Sequence, residues 1–547
     1  MSDFFAAPAL PATTRPWRQL QLFPTLLRNY LEGDDRLAPF YDFSPDRNGL
    51  LAAAEARTGY PVDRLLLQER LRAQYLEMDP DFERRASAQA VLKHLEALGS
   101  DDCLTVTTGH QLQLFGGVHF FWYKIMDTIL LARRLEHMRG GKPVVPVFWM
   151  GAEDHDFEEI RRIRVGEETW EWTSEQFHGQ SVGRLDPTEL LPLIHRLRQR
   201  LAITQHGEYL SDWLEAAHRS HQRYAQTYRQ MIHQMLGATG LLILDSDDAS
   251  LKTAGRKLFT TDVLDQNIGR AVMTQSSAME EAGFATQVTP YSVNQFMHTA
   301  HGRHRIEAQS GYYTLKDRPG QTWSTAEMES LIERHPEYLS PNVITRPIFQ
   351  EQLLPNVAYF GGPSEVGYWL QLRAGFEAAE AFFPVVLPRN SAFWISGTVR
   401  RKMQQLDLDP QDFFQKIDVL KARYIEDRPE VKLFYHQWQE TQACTHKLHT
   451  ESERLPEELR KVAASEVQAA RHRLDAAARR LRRRARQDHS VALNRLDQAY
   501  EALFPGGAPQ ERVESFMSYY REMDDQYFQT LLQHFDPLDR SVYFFDC

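Results

Sequence analysis

The chain reads as an α/β protein: a parallel sheet crossed by helices, interrupted by insertions and followed by a C-terminal helical hairpin. Three observations carry this reading. The stretch Leu104 to Ile160 runs apolar strand, glycine-containing loop, long apolar helix, apolar strand, acidic loop. The same pairing of a short apolar run with a polar loop returns at Leu241–Asp245, at Val357–Glu365 and at Phe383–Ser391. Ala463, Val467, Ala470, Leu474, Ala477 and Leu481 then alternate steps of four and three, the seam of a coiled coil.

Composition sets the frame. At 547 residues the chain is long enough for several domains, and 42% hydrophobic with 25% charged residues is the balance of a globular protein. No apolar run reaches the roughly 18–20 residues of a membrane span. Met1-Ser2-Asp3-Phe4-Phe5 has no basic segment leading into an apolar core, so no signal peptide is expected. The 3 cysteines, at 103, 444 and 547, are too few and too scattered for a disulfide framework, which fits a reducing cytoplasm. A net charge of −11 argues against a nucleic-acid partner.

In chain order, residues 1–100 read as a helical region packed on the core, with apolar faces at Leu65–Leu67, Leu71, Tyr75 and Leu76, and again at Ala90–Leu92, Leu95 and Leu98. The core takes residues 101–160, 238–260 and 356–404. Residues 161–237 form a first insertion, with short strands between Ile163 and Phe177 and helices over Leu190–Leu201 and Leu210–Leu236. Residues 261–355 form a second, with a helix over Val272–Ala282 and strand-like pieces at Thr286–Val288, Phe296–Met297 and Tyr312–Leu315. Residues 405–505 make an antiparallel coiled coil whose second arm starts near Pro456, and 506–547 a helical tail.

Ligands of a parallel sheet bind outside the carboxyl ends of its strands, so the loops after the strands should meet at one rim. Thr108, Gly109, His110 and Gln111, with Gly116 and Gly117, form the first, a strand-to-helix turn suited to phosphate or carboxylate. His110 could there move a proton or steady developing charge. Glu153, Asp154, His155 and Asp156 form the second, three carboxylates and an imidazole suited to holding an amine and removing its proton. Nothing in it fixes a metal geometry. The third holds Gly361, Gly362 and Glu365, preceded by Asn356 and followed by Tyr368. The fourth holds Arg389, Asn390 and Ser391, and arginine's fork suits an anion. Lys124, inside the crossover helix, reads as a surface or snorkelling lysine. The run containing Arg479, Arg480, Arg482, Arg483, Arg484 and Arg486 reads as the solvated face of the coiled coil.

With these pieces assembled, the chain resembles the bacillithiol synthase family, the cysteine-adding (BshC-like) enzymes of bacillithiol biosynthesis. The resemblance rests on Val106–Gln111, on Val147–Met150 with Glu153–Glu159, and on Ser340–Val343 with Arg346-Pro347. Leu354–Pro363 with Tyr368-Trp369, and Pro509–Arg512, complete it in the family's order. One position departs: the family commonly reads Thr-Gly-Gln-Gln where this chain has Thr108-Gly109-His110-Gln111. The resemblance implies a Rossmann-type core related to class I aminoacyl-tRNA synthetases, two connecting insertions, and a coiled coil that supports a homodimer. It implies a ligase joining L-cysteine to glucosaminyl-malate through an amide bond. Amide formation needs an activated carboxyl, so ATP or another nucleotide, with magnesium, is expected as the activating reagent. On this reading the nucleotide phosphates lie at Thr108–Gly117, while Asp154, His155, Asp156 and His110 serve catalysis. The remaining loop residues bind substrate. Two other classes stay open: a synthetase-like nucleotide-binding enzyme acting on another amine, and a non-catalytic coiled-coil assembly protein.

Overall fold

The computed structural model describes residues 8–20 and 22–547; the opening segment from which the lack of a signal peptide is read lies outside them. The chain divides into two compact units. The first comprises Phe23–Ala392 and Glu511–Tyr543, with the described residues before Thr13; the second comprises Thr13–Leu22, Phe393–Gln510 and Phe544–Cys547.

The first unit is built on a five-stranded sheet. Its strands are β1 (Leu104–His110), β2 (Val144–Met150), β3 (Leu242–Asp245), β4 (Asn356–Gly361) and β5 (Val385–Pro388). Every pairing is parallel and the order is β5-β4-β1-β2-β3. β2, β3 and β4 are buried along their whole length, as strands covered on both faces must be. That is why they read as continuous apolar runs. The buried threonines of β1 have partners: Thr107 Oγ1 donates to Asn356 Oδ1 at 2.9 Å and Thr108 Oγ1 to the Phe360 carbonyl at 2.8 Å. Beneath β1 and β4 lies an apolar cluster that includes Leu50, Val106, Leu131, Leu135, Phe360 and Val385. Each such side chain contributes about 1.5–3 kcal/mol by leaving water.

The strand order places the reversal of direction between β1 and β4. The chain steps from β1 to β2 to β3, then returns to the other side for β4 and β5. Ligands of such sheets bind at that reversal, beyond the strand carboxyl ends. Helices follow the two strands that flank the reversal: α1 (His119–Met138) after β1 and α2 (Pro363–Ala378) after β4.

The insertions are more structured than their sequences suggest. In the first, the segment read as one helix, Leu210–Leu236, is two, Gln205–Ser220 and Tyr224–Leu236, because His221 and Arg223 adopt extended backbone. In the second, an antiparallel sheet of five strands contains Gly302–Gln309 and Arg318–Ser324, which the sequence reading leaves out. Thr286–Val288, expected as strand-like, is irregular. The helical tail ends in a strand, Ser541–Asp546.

In the second unit, Pro429–Ser452 and Glu457–Asp488 form the hairpin, with Pro456 capping the second arm. Its register is antiparallel: Tyr435 reaches the Ala478 carbonyl while Gln442 reaches Asp475. Among the described residues no helix is long and apolar enough to cross a membrane.

Candidate functional site

The loops after β1, β2, β4 and β5 meet at a cavity of about 910 Å³ within the first unit, together with residues of the second insertion. Gly109, His110, Gln111, Glu153, Asp154, His155, Asp156, Gly362, Glu365, Tyr368 and Arg389 all line it. Thr108, Gly116, Gly117, Asn356, Gly361 and Ser391 do not, and each has another duty. Thr108 ties β1 to β4. Asn356 sits at the opposite end of β4, where its amide reaches Glu351 at 2.8 Å. Gly116 and Gly117, at φ +83° and +72°, make the turn into α1. A Cβ on Gly361 would lie 2.8 Å from the Glu365 Cβ, so this glycine makes room for the start of α2. Ser391 Oγ supports Arg389 Nη1 at 3.2 Å.

The start of α1 is not the open anion site expected. His119 N–H donates to the Glu514 carbonyl at 3.1 Å, and Val118 bridges to Ser515. The helix contributes Lys124 instead, which the sequence reading takes as a surface or snorkelling lysine. Its side chain is 1% exposed. Nζ donates to the Gly109 carbonyl at 2.6 Å and to both Glu365 oxygens at 2.9 Å. Glu365 also accepts from Tyr359 OH at 2.9 Å and from Gly362 N–H at 3.0 Å. Burial, the largest single influence, opposes its charge, but Lys124 and the other groups around it together outweigh burial and hold the carboxyl at about 2. His110 lies against Phe120, with ring centroids 5.2 Å apart. Burial, aided by Lys124 and Arg389, pushes its pKa down to about 3. It is neutral across the working range and is a poor proton acceptor.

The acidic loop divides its labour. Glu153 turns inward: Oε1 accepts from Ser246 at 2.8 Å, and Oε2 lies 2.5 Å from the buried Lys252 Nζ. Glu153, Asp247 and His298 bring one ligand atom each within 4.8 Å of one another, a spacing a metal could use. Lys252 already supplies a cation to Glu153, and Arg184 and Arg223 pair with Asp247 at 2.7 and 3.2 Å. The cluster is thus charge-balanced by protein groups. Asp156 is exposed and caps the short helix Phe157–Ile160. Asp154 faces the cavity. Its Oδ1 accepts from the His155 N–H at 2.7 Å and its Oδ2 from Gln111 Nε2 at 2.6 Å. Burial works against the carboxylate, but His155, Arg303 and Gln111 prevail and hold it well below the usual range. Such a group grips an ammonium and is a weak base, so the expected deprotonation of an amine by Asp154 does not suit it.

At the fourth loop, Arg389 Nη2 donates to Glu511 at 2.7 Å, and the neighbouring Asn390 binds Asp127 through both its N–H and its side-chain amide at 2.6 Å. The second insertion adds Arg303, Arg305, Lys316 and Arg346, and the C-terminal segment adds Arg512. Arg346 donates to Gln350 at 3.1 Å and lies 5.8 Å from the centre of the Tyr359 ring. Of these, only Arg346 and Arg512 stood within pieces quoted for the family resemblance. Arg303 and Arg305 lie on Gly302–Gln309, a strand with neither an unbroken apolar run nor a clean alternation to mark it in the sequence.

Residues 17–390 match the description "Bacillithiol biosynthesis BshC, N-terminal Rossmann-like domain", and residues 392–545 match "Bacillithiol biosynthesis BshC, C-terminal coiled-coil domain". A Flavobacterium johnsoniae protein named "Putative cysteine ligase BshC" is 30% identical over 95% of this chain and 96% of its own. One of the same name from Flavobacterium psychrophilum is 28% identical over 97% and 98%. A solved structure from Campylobacter jejuni, titled as a "putative arginyl t-RNA synthetase", aligns at 9% identity over 82% of this chain and 96% of its own, with a TM-score of 0.22. With its Rossmann-like parallel sheet and its helical hairpin, the chain belongs to the bacillithiol biosynthesis BshC family.

Proposed function

We propose that this protein is a cytoplasmic cysteine ligase that joins L-cysteine to glucosaminyl-malate by an amide bond. The observation that carries this is the composition of one cavity: a fixed carboxylate, Asp154, beside several cationic side chains. That pairing suits a reaction bringing together an ammonium and a sugar-linked dicarboxylate. About 910 Å³ is ample for two small substrates. Arg346, Arg389 and Arg512 are the groups for the malate carboxylates, through the planar fork of the guanidinium.

A carboxylate is a poor electrophile, so the cysteine carboxyl needs activation, and we assign this to ATP with magnesium. Chemically the lining fits phosphate. Gly362, Pro363 and Ser364, at the positive end of α2, border the cavity alongside Arg346 and Arg389. When bound, the nucleotide would supply a leaving group on the carboxyl. The protein's own residues then orient and exclude water. Asp154 anchors an amine, the Lys124–Glu365 pair fixes the floor between β1 and α2, and neutral His110 offers a hydrogen bond without exchanging a proton.

We also assign homodimerisation to the hairpin. Leu448, Leu455, Leu459 and Val462, near its turn, are 53%, 40%, 59% and 64% exposed. Apolar side chains so open at a coiled-coil tip suit a second copy.

The test is substrate-dependent turnover by wild type and Asp154→Asn. Losing one charge-assisted contact should lower kcat/KM by roughly 10- to 100-fold with the fold intact. Undiminished turnover would remove the acidic loop from the mechanism.

A further inference from the structure

We propose that Asp154, His155 and Arg303 form the subsite for the zwitterion of the amino-acid substrate, with Asp154 on its ammonium and the Nε2–H of His155 on a carboxyl oxygen. The inference rests on the ligase reading and reassigns the acidic loop from the acceptor amine to the amino acid.

Arg303 carries it. A guanidinium has N–H donors and no acceptor. Here Nε donates to Ser340 Oγ at 2.9 Å, Nη2 to the Pro341 carbonyl at 2.7 Å, and Nη1 meets His155 Nδ1 at 2.9 Å. The guanidinium also lies 4.0 Å from the centre of the Phe296 ring, and the side chain is 6% exposed. Three hydrogen bonds and a stacked ring leave it one orientation.

Since Arg303 can only donate, Nδ1 of His155 is the acceptor, and the ring proton resides on Nε2. The nitrogen left for a ligand is therefore a donor. The one lone pair that could take a proton is already engaged. His155 thus binds an oxygen and does not act as the base first expected of it.

Asp154 is the complement. Its carboxylate accepts N–H bonds from His155, Asp156 and Gln111, which stabilise the charged form. Two consecutive residues lining one cavity so present a fixed anion and a fixed neutral donor. An α-amino acid carries an ammonium and a carboxyl on one carbon, and matches that pair. An acceptor amine carries no such carboxyl, and would call for a base that neither residue can be.

Calorimetric binding to the full-length protein separates the two contacts. The probes are L-cysteine, N-acetyl-L-cysteine, which lacks the ammonium, and cysteamine, which lacks the carboxyl. Each analogue should bind wild type roughly tenfold or more weakly than L-cysteine. Asp154→Asn should weaken L-cysteine and cysteamine while leaving N-acetyl-L-cysteine unchanged. His155→Leu should weaken L-cysteine roughly tenfold and leave cysteamine unchanged, which also shows that the variant is folded. His155→Gln keeps a donor near the Nε2 position and should recover most of that loss. The proposal is overturned if L-cysteine binding ignores both substitutions, or if His155→Gln is as defective as His155→Leu. It is also overturned if Asp154→Asn raises the half-saturating concentration of the acceptor instead of cysteine in a turning-over enzyme, and then the ligase reading survives. Absence of both L-cysteine binding and turnover in wild type would overturn the two together.

Discussion

Lys124 shows where residue-level reading stops. Apolar periodicity identified the helix around it, but its partners are 15 and 241 residues away, and no local pattern encodes them. The acidic loop was legible because charged residues directly follow an apolar run. What separates Glu153 from Asp154 was not, since Lys252 and Ser246 meet Glu153 only through the fold. Removing the cation by Lys124→Met strands the Glu365 carboxylate, and urea unfolding at pH 7 should show a loss of about 3 kcal/mol. The pH dependence follows from the sign of the shift. Glu365 titrates at about 2 in the folded protein, below the roughly 4.3 of a free glutamate. Its contribution is therefore complete above the unfolded value and lost as pH falls towards 2, so the gap between Lys124→Met and wild type should narrow below about pH 4. His110, held at about 3, contributes no limb to the pH–rate profile near neutrality. His110→Gln should leave that profile's apparent pKa values in place; a shift of either limb would make His110 an acid–base group after all.

Elements buried on both faces announced themselves. β2 is apolar throughout, and β3 and β4 carry apolar runs bounded by Asp245 and Asn356, which is how the sequence located them. Gly302–Gln309 and Arg318–Ser324 belong to an antiparallel sheet whose strands carry arginine, histidine and glutamate, so neither unbroken apolar runs nor clean alternation marked them. That omission hid Arg303 and Arg305. The junction of β4 and α2 offers a test at this scale. Gly361→Ala would press a Cβ to within 2.8 Å of the Glu365 Cβ, and the helix start must shift. Thermal and urea unfolding should register a loss of about 1–3 kcal/mol, in line with overpacking of a tight site. A neutral result would show that α2 can move without cost.

At the scale of the molecule, the order β5-β4-β1-β2-β3 explains why loops far apart in sequence share one cavity. Every strand runs parallel, so all their carboxyl ends lie at one rim. The convergence of the four loops was readable from that rule alone, whereas Arg303, Arg305, Lys316 and Arg346 come from an insertion whose sheet was legible only at Phe296–Met297 and Tyr312–Leu315. The hairpin makes a separate prediction. On the proposed hairpin dimer, replacing Leu448, Leu455, Leu459 and Val462 by glutamine should lower the mass seen by light scattering at micromolar concentration from two chains to one; a one-chain mass for the wild type, or an unchanged two-chain mass for the variant, would contradict it. The central claim is the chemistry, and it is tested most directly by turnover. Purified protein is mixed with L-cysteine and glucosaminyl-malate, with and without ATP and magnesium, and the products are followed by mass spectrometry. The account predicts an amide-linked thiol product that forms only when both substrates and ATP with magnesium are present. Consumption of neither substrate under any of these conditions, by protein shown to be folded, would contradict it.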